Sequence, residues 1–283
     1  MDIKLIGVVG AGQMGQGIAQ VAAQSGFSVL IADQNLAAAT QGVDKIKAQL
    51  EKAVQKQKIS ADEMNRTMSA LKGVNALGDL KDCDLVIEAV SENIELKKKI
   101  WRELDTSVKA SALFATNTSS ISITELAAAT KRPSQFAGMH FMNPVPVMKL
   151  VEGIRAIQTS TETFSTIRTA AEKMGKTFVE ARDIPGFAVN RILMPMINEA
   201  VYALYEGIAS AEDIDISMKL GTNQPMGPLT LADFIGLDTC LAIMDVLHQG
   251  LGDSKYRACP LLKQYVAAGW LGKKSGRGFY TYG

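Results

Sequence analysis

Residues 3–33 constrain the fold more than any other stretch of this chain. An apolar run, Ile3 to Val9, leads into Gly10-Ala11-Gly12-Gln13-Met14-Gly15. A helical pattern follows, and a second apolar run, Phe27 to Ala32, ends on Asp33. The pattern predicts a strand, a glycine turn, a helix and a second strand capped by an acid. Each part has a mechanical task in holding a dinucleotide. Gly10 allows the tight turn, Gly12 lets the backbone approach a pyrophosphate, and Gly15 lets the helix pack close to the strand. The helix N-terminus offers N–H groups and positive partial charge to the phosphates. Gly10, Gly12, Gln13, Met14, Gly15 and Asp33 are therefore the candidate cofactor-binding residues here. Asp33 lies close to the ~20 residues past the turn at which a ribose-binding carboxylate is expected. Its charge repels a 2′-phosphate, and neither Gln34 nor Asn35 supplies a cation to offset it, so the cofactor expected is NAD.

The rest of the chain points to a two-part α/β protein. Its 283 residues are 47% hydrophobic, enough for a sizeable core without disulfides. Thirty basic and 29 acidic residues leave a net charge of +1, which gives no bulk attraction to nucleic acid or to a membrane surface. Cys83, Cys240 and Cys259 are far apart and match neither a metal spacing nor a disulfide framework. They are expected to be buried thiols of a reducing compartment, the cytoplasm. No signal peptide is evident, and no stretch reaches the ~20 apolar residues that span a bilayer.

Strand and helix patterns alternate along the N-terminal part. A polar-faced helix is expected from Leu36 to Lys58, with Lys45, Lys47, Lys52, Lys56 and Lys58 along it, and a second from Ser60 to Ala70, opened by a capping box. Asp84 to Val90 is a buried strand, Glu95 to Leu104 a helix and Ser111 to Thr116 a strand. Asn117-Thr118-Ser119-Ser120 sits at that strand's C-terminal end, where open α/β sheets bind ligands. A strand from Phe136 to His140, a turn through Asn143–Pro146, a strand from Val147 to Val151, a helix from Thr163 to Met174 and a strand from Thr177 to Glu180 complete the series. Beyond Asp183-Ile184-Pro185-Gly186 only helical spacing is evident, with Pro195 a kink in the first of those helices. The fold expected is α/β: a doubly wound Rossmann-type domain over residues 1–184, and an all-helical domain over 185–283 that closes a cleft and makes a dimer.

The chain has two histidines. His248 falls at a helix end and reads as structural. His140 ends a strand, and a hairpin through Asn143–Pro146 folds the segment carrying Glu152 back toward it. A carboxylate against an imidazole fixes its tautomer and raises its basicity, the pair that an alcohol dehydrogenase without zinc requires. No metal-ligand set is evident.

Several long segments resemble the 3-hydroxyacyl-CoA dehydrogenase family: Asn117–Ser120, the run from Gly138 to Glu152, Asp183 to Arg191, Met226-Gly227-Pro228, and the ending Lys274 to Tyr280. The resemblance spans essentially the whole chain in the same order, and its compact length is most similar to bacterial members acting on 3-hydroxybutyryl-CoA. It implies NAD-dependent interconversion of (S)-3-hydroxybutyryl-CoA and acetoacetyl-CoA by hydride transfer. His140 would be the general acid/base and Glu152 its partner. Ser119 and Asn190 would bond around the reacting oxygen and hold the thioester chain, in an active site spanning both domains. Glu92, Lys97, Asn117, Asn143 and Lys274 would lie around the NAD. The family uses the lysine-rich helix for coenzyme A, so Lys52 and Lys56 are candidates for its phosphates. The implied partners are a CoA thioester and a second copy of the chain, with no nucleic acid and no membrane. Two other readings are a β-hydroxyacid dehydrogenase acting on a small free acid and a non-enzymatic NAD-binding protein of the same fold. The former typically relies on a catalytic lysine and lacks the segment from His140 to Glu152. A fused multifunctional protein is not expected, since no hydratase-sized segment precedes residue 1.

The acid at Asp33 carries a direct test. NADH should support a higher kcat/KM than NADPH, and steady-state rates with the two cofactors measure the difference; equal values would remove the argument from Asp33.

Overall fold

A computed structural model describes residues 2–283. The described residues form two compact units, the first ending at Asp183 and the second running over Ile184–Gly283.

The first unit follows the expected alternation: β1 (Leu5–Val9), α1 (Gln13–Gln24), β2 (Ser28–Ala32), α2 (Leu36–Gln55), α3 (Ala61–Ser69), β3 (Leu71–Val74), β4 (Leu85–Glu88), α4 (Ile94–Ser107), β5 (Leu113–Thr116), α5 (Ile123–Ala127), β6 (Phe136–Phe141), β7 (Leu150–Arg155), α6 (Thr161–Lys173) and β8 (Thr177–Arg182). The strands make one sheet in the order β3-β2-β1-β4-β5-β6-β7-β8. Every neighbouring pair is parallel except β6 and β7. The first six positions repeat the doubly wound dinucleotide-binding order. The order in which successive strands are added across the sheet reverses between β1 and β4, and the crevice at the carboxyl ends of those strands is where such sheets take their ligands.

Residue type explains the layers. All residues of β4, β5 and β6 are buried, as strands covered by helices on both faces require. Trp101 of α4 packs against Phe114 and Phe136 with ring centroids 5.0 and 4.7 Å away, tying that helix to β5 and β6. Asp183 holds the N-terminus of α5, accepting from Ser122 Oγ and from the N–H groups of Ile123 and Thr124. Cys83, Cys240 and Cys259 are buried and unbridged, and burial pushes the first two thiols up to about 12, which leaves them inert.

Some boundaries differ from the sequence reading. The strand expected at Val147–Val151 begins only at Leu150 and runs to Arg155. Pro144 and Pro146 lack N–H groups, and the N–H groups of Val147 and Met148 turn back to Pro144 O instead of joining a ladder. Glu152 consequently lies inside a strand. The helix expected to reach Lys58 stops at Gln55, because Gln57 takes a left-handed φ of 55° and Lys58 N bonds back to Ala53 O. Lys56 and Lys58 therefore lie beyond the helix. The short edge strand β3 carries Lys72 and Gly73 and has little apolar alternation to announce it.

The second unit comprises α7 (Val189–Tyr205), α8 (Ala211–Gly221), α9 (Pro228–Ile235), α10 (Leu237–Leu251) and α11 (Pro260–Ala267). Helix α7 continues through Pro195. Met194, Val201, Leu229, Leu237, Met244 and Leu262 form the centre of its core. Two buried acids fasten the C-terminal segment. Asp215 accepts from Leu229 N and Tyr280 Oη, and Asp233 from Phe279 N, Tyr280 N and Tyr282 Oη. No helix among the described residues is long and apolar enough to cross a membrane.

The tightest approach in the first unit is at Gly15, where an added Cβ would stand 1.8 Å from Gly10 O. Gly15→Ala should therefore destabilise the protein by about 2–3 kcal/mol, roughly 5–10 °C in Tm for a chain of this size. Thermal unfolding followed by circular dichroism checks this.

Candidate active site

The glycine turn leaves β1 through Gly10, whose φ of 101° suits glycine, and whose Cβ position lies 2.6 Å from Ala89 O. Helix α1 then starts from Gly12 with no side-chain cap and no acid in its first turn, so its N–H groups and dipole are available to an anion. Nothing lies within 4 Å of a Cβ built at Gly12, which is the open space a pyrophosphate needs. Asp33 folds back over the turn and accepts from Ala11 N at 2.6 Å and Gln34 N at 2.7 Å. Gln13 is exposed and Met14 half-buried beside them. These features fit a dinucleotide.

A charged network occupies the ends of β4 and β5. Glu88 is 0% exposed and accepts from Lys97 Nζ at 2.6 Å, Val90 N at 2.8 Å and Thr116 Oγ1 at 2.8 Å. Lys97 is 1% exposed and also lies 3.7 Å from Glu92. Glu92 in turn accepts from Thr118 Oγ1 at 2.7 Å and Ser119 N at 2.8 Å. Asn117 Oδ1 accepts from Phe141 N, joining the end of β5 to the end of β6. Sequence reasoning placed Glu88 only within a buried strand. The signal was present, since an acid inside the apolar run Leu85 to Val90 has to find a cation or several donors.

His140 and Glu152 stand directly opposite each other on the one antiparallel strand pair. Nδ1 of His140 lies 2.8 Å from Oε2 of Glu152, and the two residues are 7% and 1% exposed. A carboxylate can only accept, so a neutral imidazole bonded to it through Nδ1 holds its proton there and its lone pair at Nε2.

Asn143 is exposed in the β6–β7 loop and accepts from Gln13 Nε2 at 3.0 Å. Ser119 is half-buried after β5. Lys52 in the last turn of α2 and Lys56 at its C-cap are both exposed. In the second unit Asn190 is buried in the first turn of α7, and Lys274 is ion-paired to Asp238 at 2.6 Å. His248 is exposed in the last turn of α10.

A dinucleotide-binding sheet with a buried histidine–carboxylate pair at its carboxyl edge describes a nicotinamide-dependent dehydrogenase. The chain belongs to the 3-hydroxyacyl-CoA dehydrogenase family: the model of that family's NAD-binding domain matches residues 5–184, and that of its C-terminal domain residues 186–282. Its first unit therefore binds NAD. A Bacillus subtilis relative named probable 3-hydroxybutyryl-CoA dehydrogenase is 57% identical over 282 residues, covering 100% of this chain and 98% of the relative. A 3-hydroxybutyryl-CoA dehydrogenase of Bradyrhizobium diazoefficiens is 55% identical, covering 99% of this chain and 96% of the relative. The crystal structure of (S)-3-hydroxybutyryl-CoA dehydrogenase from Ralstonia eutropha is 49% identical with a TM-score of 0.97, and each chain covers 100% of the other.

Breaking the Glu88–Lys97 pair should be costly. Lys97→Met leaves a buried carboxylate without its cation and should cost about 3–5 kcal/mol, whereas Glu88→Gln together with Lys97→Met should recover a large part of that loss. Urea unfolding of the single and double variants measures both.

Proposed function

We propose that this chain interconverts (S)-3-hydroxybutyryl-CoA and acetoacetyl-CoA, with NAD as redox partner and His140 as general acid/base. The observation that carries the reading is the buried His140–Glu152 hydrogen bond on the same sheet as an NAD-binding glycine turn. Bound NAD supplies the hydride acceptor at the nicotinamide. In the oxidative direction His140 Nε2 takes the proton of the 3-hydroxyl, and in reduction it returns a proton to the 3-keto oxygen. Glu152 keeps Nδ1 protonated and stabilises the imidazolium once it forms. Ser119 and Asn190 hold the reacting oxygen and the thioester chain by hydrogen bonds, limiting the substrate to geometries near attack.

The glycine turn carries the pyrophosphate and Asp33 the adenosine ribose. Glu92, Lys97, Asn117, Asn143 and Lys274 complete the NAD site. The burial of Lys97 gives it an electrostatic part in that site, acting through Glu88 and Glu92. Lys52 and Lys56, both exposed, serve as point charges for the phosphates of coenzyme A. The four-carbon substrate is supported by the names of the full-length relatives. A homodimer is supported by the large apolar side chains exposed on the second unit, among them Ile192, Ile208 and Leu220. Unbridged cysteines suit a cytoplasmic setting.

Oxidation of NADH with acetoacetyl-CoA, followed at 340 nm, tests the reading: rapid turnover supports it, and no turnover by folded protein that still binds NADH counts against it. His140→Ala should lower kcat by on the order of 10²–10⁴, and an effect of tenfold or less would sink the assignment.

A further inference from the structure

The loop between β6 and β7 joins the strand of His140 to the strand of Glu152, and it is held at several points. Near its start, Asn143 accepts from Gln13 of the glycine turn at 3.0 Å. In its middle, Val145 is buried against α1, where Gly17 makes room: a Cβ there would come within 2.8 Å of Val145 Cβ. On the other side stands Lys176, the residue before β8. Its Nζ donates to the carbonyl oxygens of Val145 and Met148, the second at 2.8 Å. The next residue, Thr177, donates its N–H to Lys149 O at 2.7 Å.

Lys176 is 8% exposed, and its hydrogen-bond acceptors at the loop are carbonyls. Burial pushes its pKa below the ordinary lysine range. Placing a long cation there costs rotamer entropy and desolvation, and a methionine would fill the same space without the second cost. What the ammonium adds is donors for two carbonyls of a loop whose prolines, Pro144 and Pro146, offer no N–H to a ladder.

We propose that Lys176 is a positioning residue for the reaction: by holding Val145 O and Met148 O it sets the loop that presents Asn143 to the glycine turn. Lys176 thereby joins the cofactor side of the site to the strand pair carrying His140 and Glu152. This rests on the reading above, that the chain reduces acetoacetyl-CoA with NADH. The His140–Glu152 bond is set by strand register, so the ionisation that governs turnover should survive loss of Lys176. Cofactor affinity and the rate at saturation should not.

Lys176→Met and Lys176→Arg test this, with NADH affinity measured by fluorescence titration and kcat, KM and the pH–rate profile by steady-state kinetics. Lys176→Met should weaken NADH binding by about tenfold or more and lower kcat by about 10- to 100-fold, the scale of a small misplacement near the chemistry. KM for acetoacetyl-CoA should stay within about threefold and the limbs of the pH profile should not move. Lys176→Arg, which keeps the donors, should recover much of both losses. An NADH affinity and kcat of Lys176→Met both within about threefold of the parent, whatever its Tm, would show a merely structural lysine and overturn the proposal. If Lys176→Met does not fold, Lys176→Gln, with one amide donor group, is measured in its place: intermediate values support the proposal and parental values overturn it. Absence of turnover in the unaltered protein would count against the reading of the reaction, while NADH affinity across the variants still reports on Lys176.

Discussion

The antiparallel pairing of β6 with β7 is the constraint on which the candidate chemistry depends. Opposed residues on such a pair have Cβ atoms about 4.5–5.5 Å apart and project to the same face. His140 faces Glu152 in that register, and the 2.8 Å bond follows from it. A slip of one residue would send the two side chains to opposite faces of the sheet. The register is defended by burial, because a slipped β7 would take Val151 and Ile154 out of their places in the core. The Glu152 carboxylate is thus delivered to the imidazole by backbone geometry, with little left to side-chain choice.

The parallel half of the sheet meets a different demand. It gathers the ends of β1, β4 and β5 along one edge, so the glycine turn, Glu88 and the Asn117–Ser119 segment lie near one another although they are far apart in sequence. Burying Glu88 and Lys97 carries a desolvation cost of several kcal/mol per ion, which their contact and the added donors offset only because each is nearly fully satisfied. Such a pair is a poor source of stability compared with apolar packing. Its use is to fix charge at a defined point: Lys97 is anchored by Glu88 and lies toward Glu92, whose other oxygen receives Ser119 N.

Much of this was legible in the sequence, for physical reasons that can be named. The glycine spacing before α1 and the acid after β2 state the local backbone path directly, and the buried strands are nearly continuous apolar runs. The His140–Glu152 pair was legible because a two-proline turn between two strand-like segments implies a return. The extent of β7 was not, because which residues join a ladder depends on the N–H groups the prolines withdraw and on where the loop carbonyls find donors. Lys176 was invisible for the same reason. A lysine at a helix-to-strand junction looks like any solvated charge until the loop it serves is folded against it. Glu88 stood between these cases, an acid in an apolar run that demanded a partner without naming Lys97.

The position of the dyad at the seam between the parallel sheet and its antiparallel extension has a chemical logic. In a purely parallel sheet, a neighbouring strand reaches the same edge only after a crossover of a dozen or more residues, so a carboxylate for a strand-borne histidine has to come from a distant and separately ordered loop. Here an antiparallel return brings Glu152 opposite His140, 12 positions further along the sequence. The closure cost of so short a connection is small, but a connection rich in proline pairs poorly with itself and has to be held from outside. Gln13, the groove at Gly17 and Lys176 supply that hold from the two flanking parts of the same unit. A strand pair that sets the proton-transfer geometry, joined by a loop tied to the dinucleotide turn, lets the base and the cofactor site be positioned by one continuous piece of backbone.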